Sequence, residues 1–163
     1  MSKIFNLTQH QATESQLEAG VIEPSSETKA LIGKLLTVPM TQSDGLGFAQ
    51  LSSETQKSEL ERRAHDLAVI AAEYQASVVR NALKIADSDS LTDFQALCQL
   101  EQARGVKVMI GGFQPLMGLL EAALKRRGMT PVVALSDRVV KEVQEGDSVR
   151  KVAVFEHRGF YEL

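Results

Sequence analysis

Only one cysteine occurs in the chain, Cys98, so no internal disulfide can form and a reducing, cytoplasmic setting is expected, with Cys98 as a core residue of a helix. No apolar run approaches the roughly 20 residues that a membrane span requires, and the first residues lack a signal-peptide core. Positive charge is not in excess. A net charge of −3 over 163 residues leaves no basic face to displace counterions, which disfavours duplex DNA as a partner. The chain has no HxH, HExxH or CxxC spacing, so neither a metal nor a metal cofactor is expected. It also lacks GxGxxG, a Walker lysine motif and a GxSxG elbow, which removes the commonest dinucleotide, P-loop and serine-hydrolase signatures. Internal repeats and low-complexity tracts are missing too.

What is present is one α/β domain's worth of pattern, long enough to bury roughly 68–70% of its unfolded surface. The stretch from Lys107 to Arg138 organises it. Val108, Met109 and Ile110 form a short apolar run that meets Gly111-Gly112, and Pro115 follows where a helix should start. Leu116, Met117, Leu120, Ala123 and Leu124 share one helical face, with Glu121 and Lys125 paired on the other. Gly128 supplies a left-handed cap, Pro131 prevents continuation, and Val132 to Leu135 read as a strand buried on both faces. This is a βαβ unit, whose ligands lie beyond the strand C-termini.

Before it, Lys3 to Leu7 read as a first strand, and Thr13 with Gln16 as a capping box for a helix ending at Gly20. Ser25 or Ser26 caps a helix over Glu27 to Ile32 closed by Gly33, and Leu35 to Val38 suggest a second strand halted by Pro39. A loop with a turn at Asp44-Gly45 precedes a helical middle, about residues 53–104. There Ser53 and Gln56 make a capping box, and Leu60, Ala64, Leu67, Ala71, Tyr74 and Val78 repeat at helical spacing. A second row (Ala68, Ala72, Val79, Leu83) widens that face, which suits a homodimer interface or packing within the chain. Asp87 to Ser90 interrupt the pattern, and a helix holding Leu91, Phe94, Leu97 and Cys98 ends near Gly105. After Arg138 a C-terminal hairpin is expected at about 139–157, with its turn at Glu145-Gly146-Asp147.

Three clusters can carry chemistry. Asn6, Thr8, Gln9 and His10 crowd the end of the first strand; His10 can move a proton, while Asn6, Thr8 and Gln9 can hydrogen-bond a ligand. Gly111-Gly112, followed by Phe113 and Gln114, lets an anion approach the backbone at a helix N-terminus. Ser136-Asp137-Arg138 places a hydroxyl and a guanidinium at the end of the next strand, where Ser136 and Arg138 can hold a phosphate or carboxylate. For each cluster the structural alternative is a satisfied strand end or turn. His65 reads as surface, and His157 stands beside Glu156 near the C-terminus.

Asn6-Leu7-Thr8-Gln9-His10 with Ala12-Thr13, taken with Ile110-Gly111-Gly112 and Ser136-Asp137-Arg138, resembles a family of small uncharacterised bacterial and phage proteins. The opening is similar, more loosely, to the start of small CRISPR-associated Rossmann-like proteins, some of them ring nucleases of antiviral defence that cleave cyclic oligoadenylates. The expectation is a single Rossmann-like domain of about four mainly parallel strands. The resemblance implies a nucleotide-binding protein, either a metal-independent phosphodiesterase or a non-catalytic binding or protein-interaction module of a phage or mobile element. As an enzyme it would use His10, Thr8 and Asn6 catalytically.

Overall fold

The computed structural model describes residues 3–40, 47–83, 106–145 and 148–163. Strand β1 (Ile4–Asn6) is followed by helix α1 (Glu14–Glu18), a two-residue strand β2 (Val21–Ile22) and helix α2 (Ser26–Leu36). A short 3₁₀ turn (Phe48–Gln50) leads into the long helix α3 (Ser53–Leu83). Then come β3 (Lys107–Met109), α4 (Gln114–Arg126), β4 (Thr130–Glu145) and β5 (Ser148–Glu162). The fold is mixed α/β. Its sheet has the order β2-β1-β3-β4-β5, parallel except for the antiparallel β4–β5 pair.

Alternation along the short strands divides the core. Phe5, Leu7, Val108 and Ile110 face the helical layer, where they pack with Ile32 and Leu36 of α2, Leu60, Leu67 and Ala71 of α3, and Leu116, Leu120 and Leu124 of α4. Ile4, Val21, Met109 and Val132 point the other way and form a smaller cluster with Ala12, Ala134 and Phe160. The wide apolar face of α3 is therefore occupied within the chain as far as its side chains are described, and Tyr74 stacks on Phe5 with ring centroids 4.3 Å apart.

Several expectations need correction. Leu35 to Val38 is not a strand: Leu35 and Leu36 are the last turn of α2, and Gly33 lies inside that helix. Ile32, Leu35 and Leu36 sit at i, i+3 and i+4, so one helical face buries all three, which a strand could not do. The free carbonyls at the α2 C-terminus are met from a distance. Arg63 Nη1 donates to the carbonyls of Lys34, Leu35 and Thr37 at 3.0, 2.9 and 3.1 Å, while its Nε is held by Glu59 at 2.7 Å. The second parallel strand is instead Val21–Ile22, started by Gly20 with a φ of 97°.

The C-terminal hairpin is also longer than expected. β4 runs without a break through Ser136, Asp137 and Arg138, and β5 pairs with it from Ser148 to Glu162, so the second arm becomes the fifth strand of the sheet. One irregularity, between Leu135 and Ser136, leaves Arg158 as an extra residue on β5. Ser52, rather than Ser53, caps α3 through the Thr55 amide at 3.2 Å. The turns at Asp44-Gly45 and Gly146-Asp147, and the helix expected to hold Cys98, lie outside the described residues.

Candidate functional site

The parallel pairing of β1 with β3 runs Ile4 with Lys107, Phe5 with Val108 and Asn6 with Met109, so the two strands end side by side. The Leu7 amide continues the ladder to the Met109 carbonyl at 2.9 Å, and the Ile110 amide bonds the Val132 carbonyl at 2.9 Å. Beyond these ends lies a cleft of about 370 Å³. Thr8, Gln9 and His10 form one wall and Gly111 with Gly112 the next; Val133 and Ala134 of β4 close the far side, and Gln16 of α1 also reaches it. This is the placement typical of ligand sites in parallel sheets.

Why the wall turns there follows from Asn6, a fully buried polar residue in an otherwise apolar strand. Its Oδ1 accepts from the Thr8 amide at 3.0 Å and the Thr8 hydroxyl at 2.7 Å, the local bonding that lets an asparagine close a turn over its own backbone. Its Nδ2 donates to the His10 carbonyl at 3.0 Å and to Glu23 Oε1. Glu23 also accepts the Ala12 amide at 2.6 Å and pairs with Lys29 at 2.9 Å. Burial alone would raise the Glu23 pKa, but the Lys29 ammonium beside it and the hydrogen bonds from Asn6 and the Ala12 amide outweigh it and hold the carboxyl below its ordinary value of 4.5. Asn6 therefore shapes the wall from behind. It does not line the cleft.

The Thr8 hydroxyl is committed too, to Asn6 and, at 3.1 Å, to the His10 carbonyl. That leaves the Gln9 side chain and the His10 ring, both exposed, as the groups on this wall able to reach a ligand; they touch each other, Gln9 Nε2 to His10 Nε2, at 3.2 Å. The two glycines differ. A Cβ on Gly111 would meet only Thr8 Cγ2 at 3.7 Å, whereas Gly112 has a φ of 150°, a conformation an L side chain rarely adopts. Gly112 is thus required by its backbone conformation, whereas the space beside Gly111 would admit a Cβ. The turn feeds α4, whose N-cap is Phe113 and which carries Pro115 at its second position; Pro115 has no N–H and the Leu116 amide bonds the Phe113 carbonyl at 2.9 Å, so of the first three helical residues Gln114 alone keeps an amide with no partner among the described residues.

The sequence candidates thus separate. Thr8, Gln9, His10, Gly111 and Gly112 are brought together. Gln114 is the exposed first residue of α4 and is not in the cleft wall. Ser136 and Arg138 are exposed on β4 beyond Ala134, not at a strand end; they share Ala134's side of the strand, at roughly 7 and 14 Å along it. His157 pairs with Ser136, packs on Phe160 with centroids 4.6 Å apart, and has no hydrogen-bond partner on either ring nitrogen among the described residues. His65 is exposed on α3. Glu23 and Lys29 were missed, since five residues lie between them and no helix face links them. Among the described residues no three His, Cys, Asp or Glu side chains are grouped to hold a metal, and no helix is long and apolar enough to cross a membrane.

No curated protein and no solved structure matches the chain. A family model does, over residues 46–161, a span holding α3, β3, the glycine turn, α4 and the β4–β5 pair. With more than half of its length so matched, the chain belongs to the Uncharacterized protein MJ1673 family.

Proposed function

We propose that the cleft binds a phosphate-bearing nucleotide and that this Rossmann-like arrangement of parallel strands serves as a metal-independent phosphodiesterase, with cyclic oligoadenylate as its substrate class. The observation that carries the reading is the meeting of His10 and Gln9 with Gly111-Gly112 at the uncapped start of α4. Backbone amides and the helix dipole favour an anion at that point, and Gly111 admits it close to the chain. In the reaction a ribose 2′-OH attacks its own 3′-phosphate, the bond to the 5′-oxygen breaks, and a 2′,3′-cyclic phosphate forms. His10 takes the 2′-OH proton, and the leaving oxygen is protonated from solvent, to which the cleft is open. The protein contributes alignment and charge stabilisation.

One contact favours a second reading, a binding module without turnover. If Gln9 donates to His10 Nε2, the ring keeps its proton on Nδ1 and serves as a donor to phosphate rather than a base. Labelled cyclic oligoadenylate, with binding and product scored separately, decides between them. The catalytic reading expects cleavage by the wild type and a loss of roughly 10²–10⁴-fold in single-turnover rate for His10→Ala with affinity retained. Binding without product assigns the module. Melting that stays unchanged with millimolar phosphate, sulfate and nucleotides rejects both.

A further inference from the structure

β3 ends at Met109, opposite Val132, so among the described residues β4 beyond Leu135 and β5 before Gly159 pair only with each other. Ten register pairs, from Ser136 with His157 to Glu145 with Ser148, form a two-stranded arm roughly 34 Å long. Two-stranded ribbons are marginal in water unless a face is covered. The two faces of this arm differ. On one, Lys141 pairs with Glu156 at 2.7 Å and Arg158 with Asp137 at 2.8 Å, and these charges partly screen Val139, Val152 and Val154. On the other, Phe155 is 71% exposed, Val149 62% and Val140 61%, with Ala153 between them also open. Bare apolar residues on an arm with free edges are a surface for association.

We propose that this apolar face is a homodimer interface, the arms of two copies packing face to face and antiparallel about a twofold axis through the Val140–Ala153 pair. The occupant is a second copy because the row of side chains is self-complementary about that pair. Arg138 and Glu142 flank Val140 at equal distance, and Lys151 and Phe155 flank Ala153 likewise. Antiparallel packing therefore sets Arg138 of each copy over Glu142 of the other, and each Lys151 over a Phe155 ring, twice in each case. Arg138 has no ion-pair partner among the described residues of its own chain; Glu142 has only a distant one, Lys151 at 3.8 Å. This surface is separate from α3 and independent of what the cleft binds.

Light scattering and sedimentation velocity on the full chain at tens to hundreds of micromolar test it. The expected mass is twice 17.8 kDa. Phe155→Lys, which sets an ammonium against Lys151 of the other copy, and Val140→Lys, which sets two ammoniums against each other at the axis, should each weaken the dimer by about 100-fold or more. Arg138→Glu should weaken it about tenfold, and adding Glu142→Arg should restore it, since the reversed charges face each other again. A monomer at every concentration, a dimer indifferent to Phe155→Lys and Val140→Lys, an open-ended series of larger masses, or a charge swap that fails to restore association would each overturn the proposal. Should the apolar variants not fold, the exposed Arg138→Glu and Glu142→Arg pair decides alone.

Discussion

Asn6→Asp changes one atom's chemistry and almost none of its volume, which makes it the sharpest probe of the cleft wall. The Nδ2 group donates to the His10 carbonyl and to the Glu23 carboxylate from a position with no exposure to water. Replacing it by oxygen removes about 0.5–1.5 kcal/mol for the carbonyl and about 1.5–3 kcal/mol for the charged acceptor. It also brings two carboxylates into contact, which relieve their repulsion by sharing a proton. A loss of about 3–5 kcal/mol at neutral pH follows, a large part of the ~5–15 kcal/mol that holds such a protein folded. The sign of the pH dependence is diagnostic. In the wild type the Glu23 pKa is depressed below 4.5, so its contribution is present above that value and lost as pH falls through the folded pKa. In the variant the shared proton raises the pair's pKa, so the deficit is least in acid and grows as pH rises. Urea unfolding from about pH 4 to pH 8 should therefore give curves that diverge with pH. Curves that run parallel, or a neutral-pH deficit under about 1 kcal/mol, would refute the assigned hydrogen bonding.

Arg63→Met should cost about 2–4 kcal/mol by urea unfolding, because three carbonyls at the α2 C-terminus lose their donor. Arg63→Lys should recover less than half, since one ammonium cannot span those carbonyls and Glu59 together. Gly118→Ala, in the exposed interior of α4 with nothing within 4 Å of the new Cβ, should stabilise by about 0.5–1 kcal/mol, seen as a raised Tm. Gly112→Ala should do the opposite, by about 1–3 kcal/mol, through its φ of 150°. Lys29→Met should move the acid-unfolding midpoint of the wild type upward, as Glu23 loses the paired ammonium that lowers its pKa.

The βαβ unit was legible because its signals are local and agree with one another. Leu116, Leu120, Ala123 and Leu124 are buried as their spacing requires, Glu121 and Lys125 pair at 2.7 Å, and Gly128 turns at a φ of 74°. Pro115 stands one position later than expected, which its missing amide tolerates equally well. The adjacency of the His10 and Gly111 ends rests on the parallel register of β1 with β3, a pairing across some hundred residues that no local signal announces. What failed rests on long-range partners. Gly33 and Pro39 read as punctuation because nothing local reveals that Arg63, a full helix away, caps the carbonyls between them. Ser136 to Arg138 read as the end of a strand because a polar triplet after an apolar run has that signature, yet cross-strand pairing to Phe155, Glu156 and His157 carries the strand on through it. The role of Asn6 was half visible: its polarity marked it as special, but Glu23 and Lys29, which make it structural, carry no motif.

The pairing of Ile4 with Lys107 has a kinetic consequence. Most of the β4–β5 ladder joins residues close in sequence and can zip from its turn, while β1 can dock only after a loop comprising most of the chain has closed. The two walls of the cleft meet along that last seam. The Leu7 amide, bonded to the Met109 carbonyl, is thus a gauge of whether the cleft exists at all, and its exchange with solvent measures how often the seam parts in the native protein. A molecule gripping His10 and Gly111 together would act as a clasp across it, slowing exchange at that amide while leaving the outer half of the β4–β5 arm untouched.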